Sequence, residues 1–345
     1  MRAFQMTGVG SGCVVDLPDP EPGRGELLLR PIVSGVCSTD VHVYLEAVAE
    51  PALPVVLGHE SVAEVIGVGQ GTGWNAYGES VPREGDRVVV EPLFPCRTCT
   101  SCVRGLPNVC LNSRHMGITR DGCFAEMFTA PAWRTTKVPD GLRVEEAIFI
   151  EPFACALHFV TLSGLGAGQH LLVLGGGPAG LLTVLAGTLA GLTVALSEPE
   201  PARRALGGVM GAQAVASPDH LQDVLAEAGW RSGPDAIIEV TGVSSAVAQA
   251  LDIAPPAATV VLTGIGLDAR LAANTVDVVL RELTVRGAVA SRGQFARSLE
   301  LIANGLAPLG GLVTHRLAWT QADEALRTVQ SDRTIGKVLL DHPAG

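Results

Sequence analysis

Residues 170–187, HLLVLGGGPAGLLTVLAG, run from an apolar strand through a glycine-rich turn directly into a helix. Around this segment the pattern repeats. LTVALSE follows, then a helix from Pro201 to about Gly211, then the strands AIIEV (236–240), TVVLT (259–263) and LTVRG (283–287). Short, almost continuously apolar strands separated by helices cannot leave a sheet face in water, so they imply a parallel sheet covered on both sides. Residues 1–150 have a different texture. Short strands such as ELLLRP (26–31), SVAEVIGV (61–68) and RVVVE (87–91) are cut by Gly and Pro, with little helical periodicity. The pattern turns mixed again near residue 290 and ends on the strand-like KVLLD. A chain of 345 residues exceeds the size of most single cores. The expected fold is an α/β doubly wound domain inserted into a β-rich one.

The turn carries Gly175, Gly177 and Gly180 in G-x-G-x-x-G spacing. Such spacing supplies a sharp turn, a close backbone approach to a pyrophosphate and tight helix–strand packing, while the helix N-terminus offers amide donors. The next strand ends in Glu198, at the distance where a carboxylate accepts the ribose hydroxyls of NAD. Read plainly, Glu198 is a solvated strand end. Arg203 and Arg204 follow on the next helix, and a one-residue shift in register would make the site one for NADP. The expectation is NAD, with Gly175, Gly177, Gly180, Glu198 and Arg203 contacting it.

Two groups of metal-type ligands lie outside that segment. Cys96, Cys99, Cys102 and Cys110 have C-x2-C-x2-C-x7-C spacing inside the stretch 91–115. Four thiolates on one short segment suit a closed tetrahedral zinc site, the plain alternative being a reduced, metal-free loop. The second group is dispersed: Cys37 in GVCSTDVH, His59 and Glu60 in GHE, and Glu151 in IEPFACALH. A catalytic zinc needs about three protein ligands and one open position. Taken singly, each residue has an ordinary structural role, and their joint presence makes the case.

Composition narrows the partners. A net charge of −11 argues against a nucleic-acid backbone, which calls for clustered Lys and Arg. Lys137 and Lys337 are the only lysines. No stretch reads as long enough to span a bilayer. MRAFQMTGVG lacks a basic region followed by an apolar run, so a cytoplasmic location is expected.

In their order along the chain, GVCSTDVH, GHE, GDRVVVEP, the four-cysteine loop, DGCFAEM, IEPFACALH, GGGPAG and IGKVLL resemble the zinc-dependent medium-chain dehydrogenases/reductases. Within these they are similar to the polyol branch of sorbitol, threonine and butanediol dehydrogenases. The resemblance covers nearly the whole chain. It implies a GroES-like catalytic domain (1–153 and 290–345) and a Rossmann coenzyme domain (154–289). It implies Cys37 and His59 as constant catalytic-zinc ligands, with Glu60 and Glu151 both at positions that complete the coordination. Thr39 matches the hydroxyl that bonds the substrate alcohol, His42 the end of a proton relay, and Asp40 a partner orienting a ligand imidazole. The implied activity is oxidation of a polar secondary alcohol (polyol, cyclitol, diol or amino-alcohol) to the ketone, with NAD and two zinc ions per chain, in a homodimer or homotetramer. Competing readings are a zinc-free NADPH-dependent reductase of the same superfamily and a zinc-ribbon binding protein. The long connection 69–87, with Trp74 and Tyr77, departs from the family pattern and reads as a surface loop or as part of a substrate mouth.

Overall fold

A computed structural model describes residues 1–46, 48, 50–74, 78, 80–266, 273–306 and 309–343 of the protein. The chain divides into two compact units, Met1–Glu151 with Phe295–Gly345, and Pro152–Gln294. The sequence pattern places the corresponding joins at 153/154 and 289/290.

The Pro152–Gln294 unit is built on six parallel strands in the order Ala214–Ala216, Thr193–Ser197, His170–Leu174, Ala236–Glu239, Thr259–Leu262 and Thr284–Gly287. Its inner strands are buried on both faces, which is why they read as unbroken apolar runs: Leu172, Ile237 and Val260 have no exposed surface. The chain winds one way from His170–Leu174 and then the other, so the reversal of strand order, where sheets of this kind bind ligands, falls beside that strand. Gly175, Glu198 and Glu239 all stand at those carboxyl ends.

The glycine turn has a steric reason. A Cβ at Gly180 would clash with the carbonyl oxygen of Gly175 and lie 3.1 Å from Val240 Cγ2. Only glycine lets the Pro178–Leu189 helix start this close to its strand.

The other unit holds a seven-stranded sheet. Its main path runs Thr135–Lys137, Arg87–Val90, Glu60–Val68, Glu26–Val36, Lys337–Asp341 and Val313–Ala318, with Phe128–Pro131 also pairing with Glu26–Val36. The C-terminal strand thereby lies beside the long N-terminal one, antiparallel to it. A second sheet joins Ser11–Asp16, Arg2–Gly8 and Val55–Val56. Their shared core includes Phe4, Tyr44, Phe124 and Trp319, each at most 2 % exposed.

One segment corrects the sequence reading. Val144–Ser163 has the length and mean hydropathy (1.3) of a membrane span, contrary to the expectation that none exists, yet 61 % of its apolar window is buried inside the protein. It is a core helix by that criterion. In the 69–87 connection, Trp74 bridges Ser80 and is 71 % exposed, while Tyr77 lies outside the described residues.

Gly180→Ala is expected to destabilise this unit by about 1–3 kcal/mol through overpacking and to weaken dinucleotide binding. Thermal melts with and without NAD check both effects. An unchanged melting temperature with unchanged NAD stabilisation would contradict the packing assignment.

Candidate functional site

The dispersed ligand set begins where the Glu26–Val36 strand gives way to the Ser38–Glu46 helix. Cys37 sits at this junction, and its carbonyl accepts the first helical bonds, from Asp40 N at 3.0 Å and Val41 N at 3.3 Å. Asp40, in the first turn, reaches back so that its Oδ2 accepts the Cys37 amide at 3.0 Å. A first-turn acid satisfying the amide at the helix start is half of a capping box. Here the same carboxylate does a second job. Its Oδ1 accepts Nδ1 of His59 at 2.9 Å, in a setting where Asp40 is 1 % exposed and His59 4 %.

That bond fixes the tautomer of His59 and leaves Nε2 as its ligating atom. Burial alone would lower the basicity of His59, but the Asp40 carboxylate holds it well above its ordinary value. Gly58, with φ +94°, makes the turn that delivers His59, and any side chain there would run into the Phe124 ring. The next residue, Glu60, opens the Glu60–Val68 strand and is 1 % exposed.

One ligand atom each from Cys37, His59 and Glu60 lies within 4.8 Å of the others. A thiolate, an imidazole and a carboxylate so close together, with Glu60 Oε1 buried and accepting no hydrogen bond among the described residues, fit a divalent metal ion. Glu60 Oε2 instead meets the ammonium of Lys337, 3 % exposed. Burial alone would lower the Lys337 pKa; Glu60, with Cys37 and Glu151, holds it above its usual value. Glu151 is half-buried in the first turn of the Ile150–Ser163 helix and outside the 4.8 Å group. Among the described residues, then, the structure brings Glu60 rather than Glu151 to the two constant ligands.

Thr39 lies half-buried in the first turn of the Ser38–Glu46 helix. One turn on, His42 pairs through Nδ1 with Glu46 Oε2 at 2.6 Å, and both side chains are about a quarter exposed (23 % and 27 %). Glu46 was not singled out by the sequence, though its i,i+4 spacing from His42 is a readable signal. Nor was His115. Its ring centroid lies 5.4 Å from that of His59, and burial, together with the His59 charge, pushes its pKa down to about 3. It is therefore a neutral imidazole near neutral pH.

His115 belongs to the stem of the four-cysteine lobe, where Leu93–Phe94 pairs with Arg114–His115. At the tip, Cys96, Cys99, Cys102 and Cys110 bring one sulfur each within 4.8 Å of the others, with Cys110 Sγ 3.5 Å from Cys96 Sγ and 3.7 Å from Cys99 Sγ. Four sulfurs at about 2.3 Å from one ion would stand about 3.8 Å apart at tetrahedral angles, so the spacing fits. The amides of Cys99 and Cys96 donate to Cys96 Sγ and Cys110 Sγ, each at 3.3 Å. Hydrogen bonds from the Thr98 amide and hydroxyl lead in lowering the Cys96 thiol to about 5, whereas desolvation leads in raising Cys102 to about 12. Four thiolates cannot all ionise together unless a cation is among them. Cys123, in DGCFAEM, is fully buried, and desolvation pushes it up to about 12.

In the Pro152–Gln294 unit, Glu198 is 4 % exposed. Its Oε2 accepts the Gly176 amide at 2.5 Å and its Oε1 the Glu200 amide at 2.9 Å, so it is a buried acid tied to the glycine turn rather than a solvated strand end. The guanidinium of Arg203 comes within 3.9 Å of where a Gly177 side chain would begin. Arg204 is spent on the carbonyls of Glu198 and Pro199, at 2.7 and 2.6 Å. Glu239, fully buried at the end of its strand, accepts the amides of Thr241 and Gly242; nothing in the sequence marked it. His158 is buried (2 % exposed), and desolvation followed by the Arg292 charge lowers it to about 4.

Residues 23–140 match the family model of the alcohol dehydrogenase GroES-like domain, and residues 178–304 that of the zinc-binding dehydrogenases. An L-threonine 3-dehydrogenase of Escherichia fergusonii is 32 % identical over 339 residues, covering 95 % of both chains. Among solved structures, a Sinorhizobium meliloti 1021 chain assigned as a zinc-binding dehydrogenase and bound to NADP matches with TM-score 0.90 and 32 % identity, over 99 % of both chains. The 2R,3R-butanediol dehydrogenase of Bacillus subtilis matches with TM-score 0.86 and 28 % identity, again over 99 % of both.

Asp40→Asn is expected to loosen metal at Cys37 and His59 by about 10–100-fold, because the orienting bond to a ligand imidazole is lost. Chelator competition on the purified protein measures it. Unchanged metal retention would mean that Asp40 does not organise a metal site.

Proposed function

The chain belongs to the zinc-type alcohol dehydrogenases of the medium-chain dehydrogenase/reductase family, and from that premise we propose that it oxidises a polar secondary alcohol to the ketone, using NAD and a catalytic zinc held by Cys37, His59 and Glu60. The observation that carries this reading is the gathering of those three unlike donors around a buried, carboxylate-oriented imidazole. A second, purely structural zinc belongs to the four cysteines, whose closed set leaves no position for substrate.

When bound, the ion at Cys37 and His59 supplies the Lewis acid that acidifies a substrate hydroxyl, and the nicotinamide supplies the hydride acceptor. The protein's own residues do the rest. Asp40 holds the His59 ring in its ligating tautomer. Thr39 Oγ1, two residues past Cys37, takes the role of accepting the substrate hydroxyl's proton. His42 is its outlet: Nδ1 is held by Glu46, Nε2 is the ring's other proton site, and the pair is open enough to exchange with solvent.

The substrate class rests on chemistry shared by the named relatives. Threonine and 2,3-butanediol each carry a secondary hydroxyl beside a second polar group. Polyols, cyclitols, diols and amino-alcohols all have that feature. Glu198 supports NAD, since a buried carboxylate repels a 2′-phosphate while accepting ribose hydroxyls. The NADP-bound relative and the Arg203 guanidinium beside Gly177 favour the opposite choice. The reading includes a cytoplasmic homodimer or homotetramer.

A panel of polyols, cyclitols, vicinal diols, amino-alcohols and simple primary alcohols, assayed by absorbance for NADH or NADPH formation, tests the substrate class. Activity confined to primary alcohols would sink it. Glu198→Ala is expected to cost at least tenfold more in KM for NAD than for NADP, on the scale of about 1.4 kcal/mol per factor of ten. Equal losses would favour the arginine-based site.

A further inference from the structure

Glu60 and Lys337 come from opposite sides of one strand. In the sheet, Gly35 of the Glu26–Val36 strand is the register partner of Glu60 on one side and of Leu339 on the other. Adjacent strands are about 4.8 Å apart, so the two flanking backbones are roughly twice that distance from each other. A lysine and a glutamate together can span such a gap only over a position that has no side chain. Gly35 is that position: a Cβ there would clash with Glu60 Oε2 and lie 2.8 Å from Lys337 Cε. The ion pair is therefore built into the sheet by the absence of a side chain, and both partners are at least 97 % buried.

Resting on the catalytic-metal reading above, we propose that Lys337 is a positioning residue that sets how firmly Glu60 binds the metal held by Cys37 and His59. Glu60 is shared. One oxygen meets the ammonium and the other has no hydrogen-bond donor among the described residues, while the carboxylate stays within 4.8 Å of the Cys37 and His59 ligand atoms. A buried cation deprived of its counter-ion is costly, so Lys337 opposes complete transfer of Glu60 to the metal. The same pair keeps the carboxylate from leaving the site. Glu60 is thus a tethered ligand, a third donor beside Cys37 and His59 whose carboxylate is shared with the Lys337 ammonium. A glutamate bound without this restraint would give its full charge to the metal and blunt the ion's pull on an alcohol in the open position.

The test compares Lys337→Met, Glu60→Gln and the double variant with the unaltered protein, with cobalt(II) at the Cys37/His59 centre and zinc kept in the four-cysteine loop. In Lys337→Met the visible ligand-field band should change shape and intensity, and extraction of the metal by a chelator should slow about tenfold, the lower end of what changes around metal ligands produce. KM for the alcohol should rise, because an ion more fully neutralised by Glu60 draws the hydroxyl less strongly. In the Glu60→Gln background, removing Lys337 should leave both the band and the extraction rate where Glu60→Gln alone puts them. Should Lys337→Met fail to fold, Gly35→Ala separates the pair while keeping both charges, and it should shift the band in the same direction. An unmoved band and extraction rate in the folded Lys337→Met protein, faster extraction, or a shift that persists without Glu60 would overturn the proposal. A protein with Lys337 and Glu60 intact that takes up no cobalt at Cys37 and His59 would instead sink the catalytic-metal reading itself.

Discussion

The carboxylate of Asp40 is engaged at both oxygens, with the amide of Cys37 on one and the imidazole of His59 on the other. Cys37 directly follows the Glu26–Val36 strand and His59 directly precedes the Glu60–Val68 strand paired with it. Their common acid ties these two strand ends together. Because it also satisfies an amide at the helix start, helix geometry and ligand geometry cannot be altered independently. A buried, doubly bonded carboxylate has little freedom, which is the kind of preorganisation a metal ligand requires.

Around that link the Met1–Glu151 and Phe295–Gly345 unit supplies further constraints from distant parts of the chain. The stem of the four-cysteine lobe sets the neutral ring of His115 against His59. The C-terminal strand sets Lys337 against Glu60. In the proposed function the four-sulfur lobe does no chemistry of its own, yet its stem ends beside His59. The Pro152–Gln294 unit follows a separate logic, in which glycine spacing and buried acids at the strand ends prepare a place for a dinucleotide.

Much of this was legible before any coordinates. The doubly wound sheet follows from the strand–helix period, and the glycine turn and the four cysteines are contiguous motifs whose meaning is local. Cys37, His59 and Asp40 could be named because their motifs are short. What escaped depends on register between strands remote in sequence. Lys337 was visible as one of two lysines in an arginine-rich chain, but its partner becomes apparent only when the last strand is laid beside Glu26–Val36. Gly35 gave no signal for the same reason. His115 looked inert because nothing local ties the lobe's stem to GHE. The choice between Glu60 and Glu151 turns on which side chain the sheet aims at Cys37, a matter of three-dimensional placement. The apolar run at 144–163 contradicts the expectation that no stretch is long enough to span a bilayer, and burial is what assigns it to the core.

The central claim is that two metal centres of different kinds coexist in one chain, one closed and one organised by Asp40. Metal content per chain tests it most directly, measured by elemental analysis on the purified protein and on a Cys37→Ser/His59→Ala double variant. The account predicts two zinc ions in the unaltered chain and one in the variant, the remaining ion being that of the four cysteines. One ion in both proteins, or two in both, would contradict it.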